Sequence, residues 1–310
     1  MQFSVYQQSQ IGGRKVNQDR MGYCYTRDAL LLVLADGMGG HLRGEVAATI
    51  AMQTLSALFR QQATPFVKNP ARFLEEAFVK AHAGILRYGA EHDLPDTPRT
   101  TVVACLVQHD SALWAHCGDS RLYMVRGGRL LARTRDHSHI EYLIEQGRAG
   151  AHERATHPDR NKLYNCLGAS TPPTVEIARP ASLQPGDVLM LCSDGLWSTL
   201  PETEIVHQLA TQGVVRAVPD MVAMATAIAG AKSDNTTALA IMWQGAGEEA
   251  PGGDASVVST RTLAADEVST TIAATPEPAA DGADVFDEDE IEKAIAEIRD
   301  AIEKSSQLLK

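Results

Sequence analysis

The chain has 310 residues, 44% of them hydrophobic and 22% charged, a balance typical of a globular protein able to bury a substantial core. No run of about 18 apolar residues predicts a membrane span, and the formal net charge of −11 offers no basic footprint for nucleic acid. The charge is unevenly placed: residues 245–310 hold 16 acidic and 5 basic side chains, while the 244 residues before them hold 23 of each.

The opening "MQFSVYQQSQ" lacks the basic and apolar regions of a secretory signal. The first strong element is an apolar run, Leu31–Ala35, that predicts a buried strand ending at Asp36. Helical periodicity follows over Gly44–Arg60 and Pro70–His92. Next come predicted strands at Thr101–Gln108, Ala112–His116, Arg121–Val125 and Arg129–Arg133. Gly127 and Gly128, between the last two, suit a tight two-residue turn and so a β-hairpin. A helix is predicted over His139–Gln146, a strand over Val188–Ser193, a helix over Val214–Ala229 and a strand over Thr237–Trp243. Clustered strands with helices grouped between them predict α+β layers.

From Gly245 the composition turns to Ala, Thr, Gly, Pro and acids, so 245–286 is predicted to be a disordered linker, a flexible solubilising tail or a phosphorylatable segment. Ile291, Ile295, Ile298, Ile302 and Leu309 then mark a short amphipathic helix over 287–310 that needs a coiled-coil or docking partner. The five cysteines have no CxxC spacing and mostly sit in apolar runs. They predict buried thiols in a reducing compartment, the cytoplasm.

Asp36, Asp119, Asp194 and Asp234 all stand where a predicted strand or turn ends, and Asp19 precedes them in "RKVNQDR". Singly, each aspartate reads as a turn or helix cap. Together, at the ends of apolar strands that should lie side by side, they would repel one another unless a cation intervened. Oxygen-only ligands suit Mg²⁺, Mn²⁺ or Ca²⁺, and Gly37 lets its carbonyl approach an ion without steric cost. A pair of such ions can activate water against a phosphate ester. Competing phosphate and acyl chemistries fail on spacing: there is no GxxxxGK[ST], "GMGGHLRG" breaks the GxGxxG pattern at Leu42, and "SDGLWS" lacks GxSxG.

Taken in order, "RKVNQDR", "ADGMGGH", "RTTVVACLV", "CGDSRLYMVRGG", "TRDHS", "HPDRNKLYNCLG", "GDVLMLCSDGLW" and "SDNTTALAI" resemble the bacterial branch of the metal-dependent protein serine/threonine phosphatases, the protein phosphatase 2C type. The resemblance implies a four-layer α/β/β/α sandwich with two central antiparallel sheets, a catalytic domain over 1–244 and a flap at about 139–165. It implies Mn²⁺ or Mg²⁺ as cofactor, phosphorylated Ser/Thr proteins as substrates and a Ser/Thr kinase as the opposing partner. Carried over by position, Asp36 would bridge two core ions, Gly37 would offer its carbonyl, and Asp194 and Asp234 would complete the set. Asp119 corresponds to the residue of a third, looser ion, and Asp19 would act through bound water. Arg14 would hold the substrate phosphate, giving Arg14, Asp36 and Asp194 as the catalytic residues. Two departures stand out: Gln18 occupies a position usually held by Glu, and Met38 stands where animal members carry a histidine proposed as general acid. His41 or bound water remain as alternatives for that role, and small phosphate esters remain open as substrates.

Overall fold

The computed structural model describes residues 1–38, 43–155, 157–160, 162–245 and 269–270. Two antiparallel sheets are stacked face to face. The first runs in the order β1 (Gln2–Gln10), β11 (Thr236–Gly245), β10 (Val188–Cys192), β6 (Arg121–Arg126) and β7 (Arg129–Arg133). The second runs β12 (Ser269–Thr270), β2 (Asp19–Tyr25), β3 (Ala29–Gly37), β4 (Thr100–Gln108), β5 (Ser111–Cys117) and β8 (Glu176–Ile177), with β9 (Ala181–Ser182) also on β5.

Side-chain alternation explains the stacking. Leu30, Leu32 and Leu34 of β3 and Val103, Cys105 and Val107 of β4 face Leu122, Leu189, Leu191, Leu239 and Ile241 of the other sheet, forming the inner core. The alternate residues Leu31, Val33 and Ala35 are equally buried, because α1 (Gly44–Gln62) covers that outer face and packs beside α2 (Pro70–Glu91). Burial on both faces is why β3 reads as an unbroken apolar run. On the far side, α4 (Asp194–Trp197), α5 (Glu202–Thr211) and α6 (Val214–Ala229) cover Tyr123, Val125, Val188, Met190, Ala238 and Ala240. The result is the four-layer α/β/β/α sandwich.

Val214–Lys232 is long and apolar enough, by length and composition, to cross a membrane. In this fold Val214, Ala217, Val218, Met221, Val222 and Ala225 pack into the core, which accounts for its apolar character. The β6–β7 hairpin turns through Gly127 at φ 53° and Gly128 at φ 75°, the positive-φ pair that a two-residue turn of this hand requires.

The expected helix Val214–Ala229 and strand Arg129–Arg133 match in full, and the other predicted elements differ by one or two residues at their ends. Three sizeable elements had not been expected: β1, β2 and α5. The region 139–165 contains α3 (His139–Glu145) and a 3₁₀ turn over Ala151–Ala155, joined by a two-pronged contact from Arg154 to Glu141 at 2.8 and 3.0 Å. Within the stretch expected to be a linker, Ser269 and Thr270 pair with Tyr25 and Cys24. The remainder of that stretch from residue 246 onward, and the amphipathic segment 287–310, lie outside the described residues.

Candidate metal centre

The strand ladder itself brings the first two carboxylates together. β2 opens at Asp19, and the register of β2 against β3 sets Asp19 directly opposite Asp36. At the same end, the Gly37 N–H donates to the Gln18 carbonyl at 3.2 Å, and the Thr100 hydroxyl donates to the Asp36 carbonyl at 2.9 Å. Gly37 has no room for a side chain: a Cβ there would lie 2.4 Å from the Gly44 carbonyl oxygen and 2.8 Å from that of Gln18.

The other sheet supplies the next two. Asp194 follows β10 and opens α4, while Asp234 stands two residues before β11, the neighbour of β10. The two sheets are tied across this edge by Ser193, whose hydroxyl donates to Asp19 Oδ2 at 2.8 Å and accepts the Thr237 N–H at 3.1 Å. Asp119 sits in the turn from β5 to β6, where Gly118 adopts φ 113° and Ser120 shares a 2.6 Å hydrogen bond with Thr101. The structure therefore gathers Asp19, Asp36, Asp119, Asp194 and Asp234 at one edge of the sandwich.

Their electrostatics show how close they are. Loss of water raises the Asp36 carboxyl well above the ordinary range, and Asp19, Asp194, Asp119 and Asp234 each push it further. Asp119 is raised by burial and then by Asp194. Asp194 is pushed up to about 7, by burial first and then by Asp234 and Asp19. Asp19 is raised by burial, offset in part by hydrogen bonds that include Thr237 and Ser193.

Cations of the chain itself reach this group: Arg121 offsets part of the rise at Asp119, and Asp19 favours the charged form of Arg20. Arg14 Nη2 donates to Asp234 Oδ2 at 2.5 Å, and Asp194 and Asp36 also favour its charged form. Even so, Asp36 and Asp119 stay raised well above the ordinary carboxyl range, so much of the negative charge is uncompensated. Asp19 Oδ1, moreover, is buried and has no hydrogen-bond partner among the described residues. An orphaned carboxylate oxygen inside a cluster of oxygen donors fits a hard divalent cation, Mg²⁺ or Mn²⁺, better than any arrangement of protons.

Reading the sequence missed two groups around this centre. Asn235 holds the Arg14 loop: its Oδ1 accepts the Gln18 N–H at 2.8 Å, and its Nδ2 donates to the Ile11 and Val16 carbonyls at 2.9 and 3.1 Å. The signal was present, since Asn235 adjoins Asp234 in "SDNTTALAI".

The second group is His116, His137 and Glu176, whose potential ligand atoms lie within 4.8 Å of one another. Hydrogen bonding allots these atoms differently. His137 Nδ1 accepts from the Gly118 N–H at 3.2 Å and from Asn165 Nδ2 at 2.7 Å, so its proton sits on Nε2, facing Glu176 at 3.3 Å. The His137 N–H donates to the Gly118 carbonyl at 3.0 Å. His137 thus grips Gly118 from both sides, directly beside Asp119. Gln18, the residue that departs from the usual carboxylate, donates through Nε2 to Glu45 at 3.2 Å. His41 lies outside the described residues.

Comparison with known proteins agrees with this geometry. The family model for protein phosphatase 2C matches residues 6–231. A serine/threonine phosphatase of Listeria monocytogenes is 30% identical over 232 residues, covering 74% of this chain and 90% of that one. The crystal structure of the Mycobacterium tuberculosis serine/threonine phosphatase PstP matches with a TM-score of 0.68 at 28% identity, covering 78% of this chain and 99% of that one. A PstP catalytic domain in complex with two manganese ions matches at 0.66 with 27% identity, covering 77% and 97%. The chain belongs to the protein phosphatase 2C family.

Proposed function

We propose that the chain is a metal-dependent phosphatase that removes phosphate from phosphoserine and phosphothreonine on proteins and so opposes a cytoplasmic Ser/Thr kinase. The observation that carries this reading is the convergence of Asp19, Asp36, Asp119, Asp194 and Asp234 at one edge of the sandwich, with Asp19 Oδ1 left orphaned. Asp36, central among them, would bridge two Mn²⁺ or Mg²⁺ ions, with Gly37, Asp194 and Asp234 completing the inner set. Asp119 would hold a third ion more loosely, and Asp19 would act at the periphery. When bound, such a pair supplies a nucleophile from water at neutral pH and neutralises the phosphoryl oxygens.

The chain's own groups define the rest. Arg14 is half exposed at the edge of the cluster, where its planar guanidinium can take two oxygens of an incoming phosphate. Asn235 keeps the Arg14 loop against the centre. Ser193 keeps the two sheets in register at the point where their carboxylates meet. Residues 1–244 would form the catalytic domain with 139–165 as its flap, 245–286 would be the linker, and 287–310 a docking helix.

The test is hydrolysis of p-nitrophenyl phosphate and of a phosphothreonine peptide with Mn²⁺ and after chelation. Turnover should require the metal and should be lost in Asp36→Asn and Asp194→Asn. Metal-independent turnover in the native chain defeats the reading.

A further inference from the structure

Residues of β6, β7, the 139–165 region and the segment from Trp197 to Glu202 line an open cavity of about 440 Å³ that the carboxylate centre does not use. Four arginines line it, Arg121, Arg133, Arg154 and Arg160, against two lining carboxylates, Asp136 and Glu202.

Several of these charges are already engaged. Arg121 is buried and forked onto Asp136 with two contacts of 2.7 Å, its guanidinium stacked 3.5 Å from the centre of the Trp197 ring. Arg154 pairs with Glu141, and Arg133 uses Nε to reach Glu202 at 3.0 Å. Two N–H groups of the lining residues remain over. Arg133 Nη1 and the Trp197 indole Nε1 are both buried, and neither has a hydrogen-bond acceptor among the described residues. The nearest carboxylate to Arg133 Nη1 is Asp136 Oδ1, at 3.6 Å. Buried donors of this kind carry a desolvation cost until an acceptor reaches them. Both are donors only, and they belong to a lining in which arginines outnumber carboxylates four to two.

The cavity also adjoins the centre through short pieces of chain. Trp197 closes the helical turn that Asp194 opens, and Arg121 lies two residues beyond Asp119.

The geometry points to this cavity as a subsite for a second oxyanion of the substrate, a phosphoryl or carboxylate group on a side chain near the phosphate being removed. The inference rests on the phosphatase reading and names the substrate class that reading leaves open: peptides phosphorylated more than once or rich in acidic residues. Arg133 and Trp197 supply the direct hydrogen bonds, and Arg121, held by Asp136, supplies a fixed positive wall.

Two measurements on the full chain test it. The first needs no catalysis: inorganic phosphate is titrated into chelator-treated protein while tryptophan fluorescence is followed. Phosphate should change the emission, and Arg133→Gln and Arg133→Lys, each checked for native melting, should weaken the response about tenfold or more. Identical titrations for the native chain and both variants overturn the proposal.

The second compares phosphothreonine peptides in which a neighbouring position, walked along the peptide, is phosphoserine, glutamate or alanine. The native enzyme should show a lower KM with phosphoserine at one or more positions. Arg133→Gln and Trp197→Phe should lose that preference while turning over p-nitrophenyl phosphate within about twofold of the native rate. An equal preference for glutamate identifies a carboxylate as the natural group. A flat series overturns the subsite. Absence of all metal-dependent turnover alongside an Arg133-dependent phosphate titration would instead defeat the phosphatase reading and leave the cavity as an oxyanion site.

Discussion

Asp19 and Asp36 stand directly opposite each other in the β2–β3 ladder, and Asp36 also accumulates the repulsion of Asp194, Asp119 and Asp234. Like charges facing each other across a ladder destabilise it. The metal-free fold therefore carries a strain that a cation, or a neutral substitution, should relieve. Asp36→Asn keeps the shape and removes one charge. In chelator it should raise thermal stability by about 1 kcal/mol, roughly 2–4 °C. The same variant should lose turnover by more than about a hundredfold, beyond the usual cost of disturbing a group outside the ligand set. Melting curves in chelator paired with phosphatase rates check both halves. A variant that melts lower than the native chain in chelator contradicts the strain argument.

The same repulsion sets a pH dependence with a definite sign. Asp194 has a folded-state pKa near 7, above its value in an unfolded chain, so between about pH 4 and 7 the folded state holds the extra proton. By linkage, this group's contribution to stability falls as pH rises through that window. Asp19, Asp36 and Asp119 are shifted in the same direction. His116 works oppositely: burial foremost holds it down near 4, so its contribution grows as pH rises from about 4 toward 6.5. The informative quantity is therefore the rise in melting temperature caused by Mn²⁺, which reports the carboxylates. It should be larger at pH 7.5 than at pH 5.5, because protons compete with the ion at low pH. A metal-induced rise that is equal at both values goes against the coupling.

Much of this centre was legible before folding, and the reason is local. Asp36, Asp119, Asp194 and Asp234 each adjoin an apolar strand or a Gly-bearing turn, so strand ends could be read from the sequence and the aspartates came with them. What could not be read was pairing. β1 was missed because "QFSVYQQSQ" is two-thirds polar and nowhere fully buried, the pattern of an edge strand. β2 was missed because "DRMGYCY" contains a glycine and little strict alternation, so the Asp19–Asp36 opposition was invisible. The cavity is harder still. Arg121, Arg133, Arg154 and Trp197 come from a strand, a hairpin, a 3₁₀ turn and a helical turn, and only the fold brings these residues to one cavity.

Arg14 offers a separation between substrate binding and metal binding. Its guanidinium contacts Asp234 at 2.5 Å, but both side chains are substantially exposed, so solvent screens the pair and its net worth is small. Arg14→Ala should therefore leave the Mn²⁺ concentration for half-maximal activity within about threefold of native. Loss of a forked contact to a phosphate dianion should lower kcat/KM on a phosphopeptide by about ten- to a hundredfold. Activity measured against Mn²⁺ and against peptide distinguishes the two effects. A large shift in the metal requirement with an unchanged kcat/KM at saturating metal would assign Arg14 to the ion rather than to the phosphate.

Gln18 provides the last test, because the structure explains its departure from the usual carboxylate. Its amide donates to Glu45, near the start of α1, and Gly44 passes so close that a Cβ there would lie 2.7 Å from the amide nitrogen. A glutamate at 18 would meet Glu45 with like charge in a confined space. Gln18→Glu should cost about 0.5–1 kcal/mol of stability. Glu45→Gln should cost less, since it exchanges a charged acceptor for a neutral one. The double variant Gln18→Glu with Glu45→Gln reverses the hydrogen bond and should recover most of the loss, giving a favourable coupling in a double-mutant cycle. Denaturant melts of the four proteins in chelator measure that coupling free of any metal contribution. Additive costs would mean that the two side chains do not communicate, and that the amide at 18 answers to some other neighbour.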